Sequence, residues 1–255
     1  MIPKTIHYCW LSNDPMPLEI QECIKSWKEK LPDFKVKKWD TTNFDIDSVP
    51  YVREAFKEKK WAFASDYIRL YALYKEGGVY LDSDVFVIRR FDEYLTHRFF
   101  SAIECYPEVN DDLQIQAAVM GAEKEHPFIK DCMAYYQNSH FINPDNSFNE
   151  MISPLLYAKA AEKYGFKYKN QAQLLEEDMM LYSIEEIAPL TDFVSKRTRM
   201  VHCCAGSWRW NKATKAQAFI HKAKDLIVRF LVLLNLKKTW NWKRNYKNFK
   251  SSLKD

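Results

Sequence analysis

Glycine is scarce in this sequence, at five of 255 residues. Such a low content excludes glycine-rich low-complexity sequence, which needs many more. The sequence also contains no internal repeat, so repeat architectures are excluded. What remains is a chain that is 47% hydrophobic and long enough to bury a substantial core, most simply as one domain with an appendage.

The cysteines do not form a pattern that binds metal or pairs into disulfides. There are six of them, none in a Cys-x-x-Cys motif, and the adjacent Cys203 and Cys204 are a poor disulfide framework. We therefore expect a reducing, cytoplasmic compartment. The N-terminus lacks a basic segment followed by a long apolar run, so we also expect no secretory signal peptide.

Charge divides the sequence into two parts. From Trp208 onward there are 13 Lys and Arg against two Asp, a net charge of +11, whereas residues 1–207 contain 25 Lys and Arg against 32 acidic residues. We predict a slightly acidic domain over residues 1–210 and a basic, amphipathic helical tail over residues 211–255.

Strand and helix patterns alternate along the first domain, which predicts an α/β fold. A strand over 5–11, a helix over 18–30 and a strand over 35–39 form a βαβ opening of the nucleotide-binding type. Further helices are predicted over 52–60, 126–138 and 152–164, and further strands over 99–104, 114–121, 179–184 and 199–204.

The segment from Trp61 to Ile88 is the most informative part of the sequence. Residues 61–76 have helical spacing, and Gly77 and Gly78 are expected to end the helix in the left-handed conformation. Residues 79–88 are predicted to form one strand. Asp82 and Asp84 would then point to the same face of that strand, while Asp66 and Arg69 share a face of the helix.

Two Asp-x-Asp pairs occur, at Asp45–Asp47 and at Asp82–Asp84, and chance alone supplies about one pair in a sequence with this much Asp. The first pair lies in a polar segment and is expected to be a solvated turn. The second lies within an apolar strand pattern, where two carboxylates need a compensating cation. Mn²⁺ or Mg²⁺ shared with a diphosphate would provide it.

Four blocks together resemble the DXD-motif sugar transferases of glycosyltransferase family 32, and also the glucosyltransferase domains of large clostridial toxins. The blocks are Ile2–Trp10, Ala64–Arg69, Gly77–Asp84 and His202–Trp208, and they occur in the same order as in that family. The family includes capsular polysaccharide synthesis enzymes and yeast-type α-mannosyltransferases. The resemblance covers residues 1–210 and leaves out the tail.

The resemblance implies a GT-A fold with a mixed central sheet, a divalent cation, and transfer with retention of anomeric configuration. It also implies a nucleotide-sugar donor and a saccharide or lipid-linked saccharide acceptor. The donor sugar stays open among UDP-glucose, UDP-galactose, UDP-N-acetylhexosamine and GDP-mannose. The resemblance also implies front-face transfer, in which the departing phosphate assists the acceptor hydroxyl, and no second carboxylate in the sequence clearly qualifies as a nucleophile.

The same resemblance implies a role for individual residues in donor binding. Trp10 would stack on the nucleobase, Ser65 and Asp66 would contact the ribose and the donor sugar, and Arg69 would contact the sugar and the diphosphate. Tyr80 would lie beside the nucleotide.

Five further positions complete the implied site. Asp82 would contact the ribose and the metal, Asp84 would bind the metal directly, and His202 matches a C-terminal metal-site position. Ser207 and Trp208 would close over the diphosphate. Core packing is the alternative explanation for His202 and Trp208, as it is for Trp10.

Two other functions remain open. A haloacid-dehalogenase-type phosphatase has an apolar strand ending in Asp-x-Asp-x-Thr/Val, but Phe86 occupies the Thr/Val position. A non-catalytic module that binds a nucleotide-sugar or a membrane would keep the same motifs without turnover.

The tail suggests a surface interaction. Lys215, Lys222 and Arg229 recur every seven residues beside an apolar stripe, which suits an interfacial helix on an anionic leaflet. The apolar stretch over 226–236 is only about half the length of a membrane span. The alternative is a helix that packs its apolar stripe on the domain.

No nucleic-acid-binding motif is present, so we expect no nucleic-acid partner. The domain is thus expected in the cytoplasm, peripheral on the inner face of the membrane.

Overall fold

A computed structural model describes residues 1–106, 110–189 and 193–203. The helices are α1 (Leu18–Lys30), α2 (Pro50–Lys57), α3 (Trp61–Glu76), α4 (Pro127–Gln137) and α5 (Ser153–Ala161). The strands are β1 (Thr5–Cys9), β2 (Lys35–Trp39), β3 (Gly78–Leu81), β4 (Val85–Val87), β5 (Phe99–Tyr106), β6 (Asn110–Ile115), β7 (Val119–Ala122), β8 (Gln173–Leu175), β9 (Met179–Tyr182), β10 (Ile187–Ala188) and β11 (Met200–His202).

The predicted α/β class is confirmed by a mixed central sheet. Its strand order is β2-β1-β3-β7-β5-β9-β8, with β6 paired to β5. Strand β1 is parallel to both β2 and β3, whereas β7 is antiparallel to both β3 and β5. The opening unit of β1, α1 and β2 is therefore the predicted parallel βαβ unit. A smaller sheet has the order β10-β11-β4.

Two apolar clusters lie on opposite faces of the central sheet. Tyr80 packs with helices α2–α5, whereas its neighbours Val79 and Leu81 pack with α1 and β4. Successive side chains of a strand point to opposite faces, so the sheet is the middle of three layers. Trp27 of α1 is fully buried and its Nε1 donates to the carbonyl of Val85, 2.7 Å away, which ties α1 to β4.

Helix α3 begins and ends where the sequence predicts. Its C-terminal Gly77 has φ +66° and ψ −174°, so the predicted positive φ is confirmed but the left-handed helical conformation is not. Gly78 also has a positive φ, at +110°. The chain therefore leaves the helix in an extended form and enters β3 immediately.

The strand predicted over 114–121 is wrong, because it is divided into β6 and β7. Residues 116–118 separate the two strands along the chain, and the carbonyls of Ala117 and Ala118 accept hydrogen bonds from other segments, as described below. Strand β6 begins at Asn110, four residues before the predicted start of that strand. The helix predicted over 52–60 begins and ends earlier, at Pro50 and Lys57. The predicted tail over 211–255 lies outside the described residues.

No helix within the described ranges has both the length and the apolar character needed to cross a membrane. The five described cysteines, at positions 9, 23, 105, 132 and 203, are all buried.

Candidate active site

The segment that carries Asp82 and Asp84 is a turn, not the middle of a strand as predicted. Strand β3 ends at Leu81, β4 begins at Val85, and the N–H of Val85 donates to the carbonyl of Asp82 at 2.9 Å. The strand is interrupted because β3 belongs to the central sheet and β4 to the smaller one. The turn, rather than the pleat of a strand, therefore brings the two carboxylates together.

The other Asp-x-Asp pair is a solvated turn, as predicted. Asp45 and Asp47 are both exposed, and the Asp45 carboxylate accepts a hydrogen bond from the N–H of Asp47 at 3.0 Å. By contrast, the side chains of Asp82 and Asp84 are 24% and 14% exposed. The two carboxylates are thus partly desolvated. They are less buried than they would be in the interior of a strand.

The end of β11 brings a histidine to these carboxylates. His202 pairs with Val85 in the β11–β4 ladder, and its Nε2 lies 3.4 Å from Oδ1 of Asp84 and 4.0 Å from Oδ2 of Asp82. Ligand atoms of the three residues lie within 4.8 Å of one another. The N–H of Cys203 donates to the carbonyl of Asp84 at 3.0 Å and ties the two segments.

This donor set fits a divalent cation. Two carboxylates and an imidazole match the preferences of Mn²⁺ and similar ions. Adjacent ligands of an ion with bonds of about 2.1 Å lie about 3 Å apart, and opposite ligands about 4 Å apart. The separations around His202 are in this range, so small side-chain movements would complete the coordination.

Arg69 is the buried cation of the site. Its Nη2 lies 3.1 Å from Oδ1 of Asp66 and 3.2 Å from Oδ1 of Asp82, and its Nη1 donates to the carbonyl of Ala117 at 3.1 Å. Burial alone would lower the pKa of Arg69, but Asp82, Tyr80 and Asp66 raise it well above its usual range. The guanidinium therefore stays charged and holds two carboxylates in place.

Tyr80 fixes the orientation of Asp82. It is 1% exposed, and its hydroxyl donates to Oδ1 of Asp82 at 2.9 Å. The centroid of its ring lies 5.0 Å from the guanidinium carbon of Arg69, which lies over the ring. Burial first, and Asp82 second, raise the pKa of Tyr80 well above its usual range, so the phenol remains a hydrogen-bond donor.

Asp66 has an unusual environment for a carboxylate. It is 8% exposed, and burial raises its pKa to about 6, although Arg69 opposes this shift. Its charged form is therefore present at neutral pH and lost in mild acid. The neighbouring Ser65 is also buried, and its hydroxyl donates to the helix carbonyl of Ala62 at 2.7 Å.

Trp10 lies just beyond the carboxyl end of β1 and is half-buried. Its backbone N–H donates to the carbonyl of Trp39 at 3.0 Å, and its indole Nε1 donates to the carbonyl of Asp14 at 3.1 Å. The ring is held in one orientation with part of its surface accessible, which suits stacking. The other two predicted donor residues, Ser207 and Trp208, lie outside the described residues.

Residues 116–118 complete the site and were not predicted. The carbonyl of Ala117 accepts from Arg69, and the carbonyl of Ala118 accepts from the N–H of Asp82 at 2.8 Å. No glycine or proline marks this break, so periodicity alone could not locate it. Helix α5 also begins with an unpredicted polar residue, Ser153, which is buried and whose hydroxyl lies 2.9 Å from that of Tyr136.

Comparison with known proteins gives a match to one family. Residues 17–101, a third of the chain, match the family model described as "Glycosyltransferase sugar-binding region containing DXD motif". The match contains α3, β3 and the Asp82–Asp84 turn, whereas Trp10 and His202 lie outside it. It supports a DXD glycosyltransferase family for this protein.

Two curated relatives are similar over part of the chain. Toxin Afp18 of Yersinia ruckeri is 30% identical over 109 residues, which cover 42% of this chain and 5% of the toxin. Inositol phosphoceramide mannosyltransferase 3 of Schizosaccharomyces pombe is 29% identical over 141 residues, which cover 50% of this chain and 35% of that protein. The chain thus spans about a third or less of the curated relatives it matches.

The solved structure of the PaToxG glycosyltransferase is also similar. It has a TM-score of 0.47 and 18% sequence identity, over 64% of this chain and 69% of that chain.

Proposed function

We propose that this chain moves a hexose from a nucleotide-sugar to a saccharide or lipid-linked saccharide acceptor. One observation carries the proposal: Asp82, Asp84 and His202 converge beside the buried pair of Arg69 and Asp66. A GT-A enzyme of glycosyltransferase family 32 accounts for this arrangement, since its Asp-x-Asp motif would follow a strand of a mixed sheet.

Asp82, Asp84 and His202 would hold Mn²⁺ or Mg²⁺. A cation bound there would offset the negative charge of the donor diphosphate, which increases as the sugar–phosphate bond breaks. The positive charge of Arg69 would also help to offset the negative charge of the diphosphate. Because its Nη atoms already bond Asp66, Asp82 and the Ala117 carbonyl, we assign it mainly to holding those carboxylates.

The remaining donor contacts are assigned as part of the same proposal, with support from their positions in the fold. Trp10 presents a partly exposed ring at the carboxyl end of β1, where a nucleobase would stack. Asp66 and Ser65 would face the ribose and the transferred sugar, and Tyr80 would act by orienting Asp82. Ser207 and Trp208 are assigned to the diphosphate on the basis of their motif alone.

Transfer with retention is part of the proposal. The acceptor hydroxyl would attack from the face that the diphosphate leaves, and a departing phosphate oxygen would take its proton. This front-face mechanism needs no nucleophilic carboxylate. A UDP-sugar is the favoured donor, GDP-mannose is the second choice, and surface polysaccharide synthesis is the proposed process.

A donor panel tests the proposal. The protein is incubated with Mn²⁺ and UDP-glucose, UDP-galactose, UDP-N-acetylglucosamine or GDP-mannose, and released nucleoside diphosphate is measured. We expect Mn²⁺-dependent release from at least one donor. Binding without release from any of them would favour the non-catalytic module, and phosphate release from an aryl phosphate would favour a phosphatase.

We further propose that the protein acts in the cytoplasm, with residues 215–255 on an anionic membrane surface. The basic heptad pattern of that segment is the support. Liposomes that contain anionic lipid should sediment the full chain but not a chain that ends at residue 214. Equal sedimentation of both chains would contradict this localisation.

A further inference from the structure

His7 has a hydrogen-bond partner for each of its two ring nitrogens. The residue lies in β1 and is fully buried. The indole Nε1 of Trp39, on β2, lies 3.0 Å from Nδ1 of His7, and Nε2 of His7 lies 2.8 Å from the carbonyl oxygen of Gly77, at the end of α3. One imidazole therefore joins two strands to the junction between α3 and β3.

These two contacts define the protonation state of His7. An indole N–H only donates hydrogen bonds, so Nδ1 of His7 accepts from Trp39 and carries no proton. A carbonyl only accepts, so Nε2 carries the proton and donates to Gly77. The ring is thus neutral. A second proton would have to be placed on Nδ1, directly against the N–H of Trp39.

Two charged groups face His7 among the described residues, and they oppose each other. Lys37 on β2 lowers the pKa of His7 and Glu76 on α3 raises it, while their own side chains pair at 2.5 Å. Burial has the largest effect and lowers the pKa of His7 below its ordinary value of 6.5, against the Gly77 carbonyl, which raises it. The neutral ring is therefore the form present at neutral pH.

The junction that His7 contacts has a permissive backbone. Gly77 and Gly78 are adjacent and have φ values of +66° and +110°, a region where glycine is the least restricted residue. Gly77 is also the C-cap of α3, and the last carbonyls of a helix have no partners within it. The hydrogen bond from His7 therefore satisfies the Gly77 carbonyl and restrains a peptide that no side chain of its own restrains.

The same junction sets the spacing between two parts of the candidate site. Arg69 lies about two helical turns before Gly77 on α3, and Asp82 follows the end of β3. The contact of 3.2 Å between Arg69 and Asp82 spans this junction. His7 also lies beside its register partner Tyr80 on β3, whose hydroxyl donates to Asp82. A movement at Gly77 would therefore change how α3 meets the Asp82 turn.

We propose that His7 is a positioning residue, which holds α3 and β3 through its bond to Gly77 at the spacing where Arg69 meets Asp82. The bond from Trp39 has a different task, since it selects the tautomer that can donate to Gly77. An effect of His7 on donor turnover rests on the proposed function, in which Arg69 and Asp82 belong to the donor site. An effect on the geometry of the Asp82 turn does not.

Two substitutions at His7 separate its two bonds. His7→Gln keeps a donor near the position of Nε2, whereas His7→Asn keeps an acceptor near the position of Nδ1 and loses the bond to Gly77. Hydrogen exchange is measured at the amide of Asp82, which donates to the carbonyl of Ala118 at 2.8 Å. We expect this exchange to be roughly tenfold faster in His7→Asn, because a buried hydrogen bond is lost, and close to the wild-type rate in His7→Gln.

His126→Asn is the matched control. His126 is also fully buried between two backbone groups, since its Nδ1 accepts from the N–H of Phe128 at 3.2 Å and its Nε2 lies 3.2 Å from the carbonyl oxygen of Glu177. Asn at this position likewise keeps the acceptor and loses the donor. It should lower the free energy of unfolding, measured in urea, but change the exchange of the Asp82 amide by less than about twofold.

Donor kinetics with Mn²⁺ give a second measurement, with whichever of UDP-glucose, UDP-galactose, UDP-N-acetylglucosamine or GDP-mannose the wild type uses best. We expect His7→Asn to lower kcat/KM roughly tenfold, His7→Gln to restore most of it, and His126→Asn to leave it unchanged. Release of nucleoside diphosphate from none of the four donors would overturn the proposed function, whereas the exchange of the Asp82 amide would still decide the role of His7.

The wild-type protein provides a test that needs no variant. The ¹⁵N chemical shifts of the His7 ring should show a proton on Nε2 and none on Nδ1 at pH 6, below the ordinary pKa of 6.5. A charged ring or the opposite tautomer would overturn the assignment. It would also be overturned if Asp82 exchanged at the wild-type rate in His7→Asn, equally fast in His126→Asn, or as fast in His7→Gln as in His7→Asn.

Discussion

The Nη2 atom of Arg69 lies 3.2 Å from Oδ1 of Asp82, although the two residues are 13 positions apart in sequence, with a change from helix to strand between them. The same nitrogen lies 3.1 Å from the Asp66 carboxylate. One buried guanidinium thus links α3 to the turn that carries the candidate metal ligands. The geometry of that turn depends on an ion pair between a guanidinium that is 6% exposed and a carboxylate that is 24% exposed, and leaving the buried guanidinium without a partner is expensive.

Arg69→Lys should therefore be disruptive despite keeping the charge. An ammonium group cannot reach both carboxylates and the Ala117 carbonyl with the fixed geometry of a guanidinium. We expect a loss of about 2 kcal/mol in the free energy of unfolding and roughly a hundredfold loss of donor turnover. Urea unfolding and nucleoside diphosphate release measure the two effects.

Arg98→Lys is the matched control for that substitution. Arg98 also contacts two carboxylates, those of Glu123 and Glu177, but its side chain is 41% exposed. Exposed ion pairs contribute about 0–1 kcal/mol, so Arg98→Lys should change stability little and leave turnover intact. Similar losses from both substitutions would contradict the role assigned to the buried pair.

Asp84→Asn should remove cation binding while keeping the fold. The amide has the same shape but no charge, so Mn²⁺ affinity should fall at least about tenfold and turnover should be lost. Isothermal titration with Mn²⁺ and a thermal melt measure binding and fold. Asp47→Asn, in the exposed Asp45–Asp47 turn, is the control and should leave Mn²⁺ affinity unchanged. Wild-type Mn²⁺ affinity in Asp84→Asn would remove Asp84 from the proposed metal site.

The charge on Asp66 should make stability depend on pH. Burial raises the pKa of this group from 3.8 to about 6 in the folded protein. The folded state therefore binds more protons than the unfolded state between those values, and the free energy of unfolding falls as pH rises through about 6. The buried charge should cost about 3 kcal/mol at neutral pH.

Asp66→Asn tests that sign, because Asn resembles the protonated carboxyl. Without divalent cation, the variant should be more stable than the wild type by about 2 to 3 kcal/mol at pH 7.5, and the gap should close near pH 4. Urea unfolding at the two pH values measures the gap. Donor turnover should be lost in the variant even though it is more stable. A stability difference that does not change with pH would refute the raised pKa.

Gly78→Ala should destabilise the junction between α3 and β3. Gly78 has φ +110°, and an added Cβ would lie 2.6 Å from the carbonyl oxygen of Thr5 and 3.0 Å from Nε2 of His7. Strain and overlap together should cost about 3 kcal/mol. Gly165→Ala is the control, since its φ is +92° but nothing lies within 4 Å of the added Cβ. Thermal melts of the two variants should differ, and equal losses would mean that backbone strain alone accounts for both.

Local patterns determined much of the secondary structure. Helix α1 and strand β2 have the predicted bounds, as does α3 up to Gly77, because apolar spacing, proline and glycine act within a few residues. The different environments of the two Asp-x-Asp pairs were also predictable, since Asp45 and Asp47 lie in a polar segment that ends at Pro50. The pairing of Asp66 with Arg69 followed from their spacing of three on one helix.

Only the tertiary structure decided how the site is assembled. The turn at Asp82–Asp84 arises because the chain passes from the central sheet to the smaller one, and the break at Ala117 arises because β6 and β7 pair with different parts of β5. No local residue preference records which strand lies next to another. The placement of His202 beside Asp84 depends on the β11–β4 register. A single sequence encodes residue types and spacings along the chain, whereas contacts between distant segments depend on how all the layers pack at once.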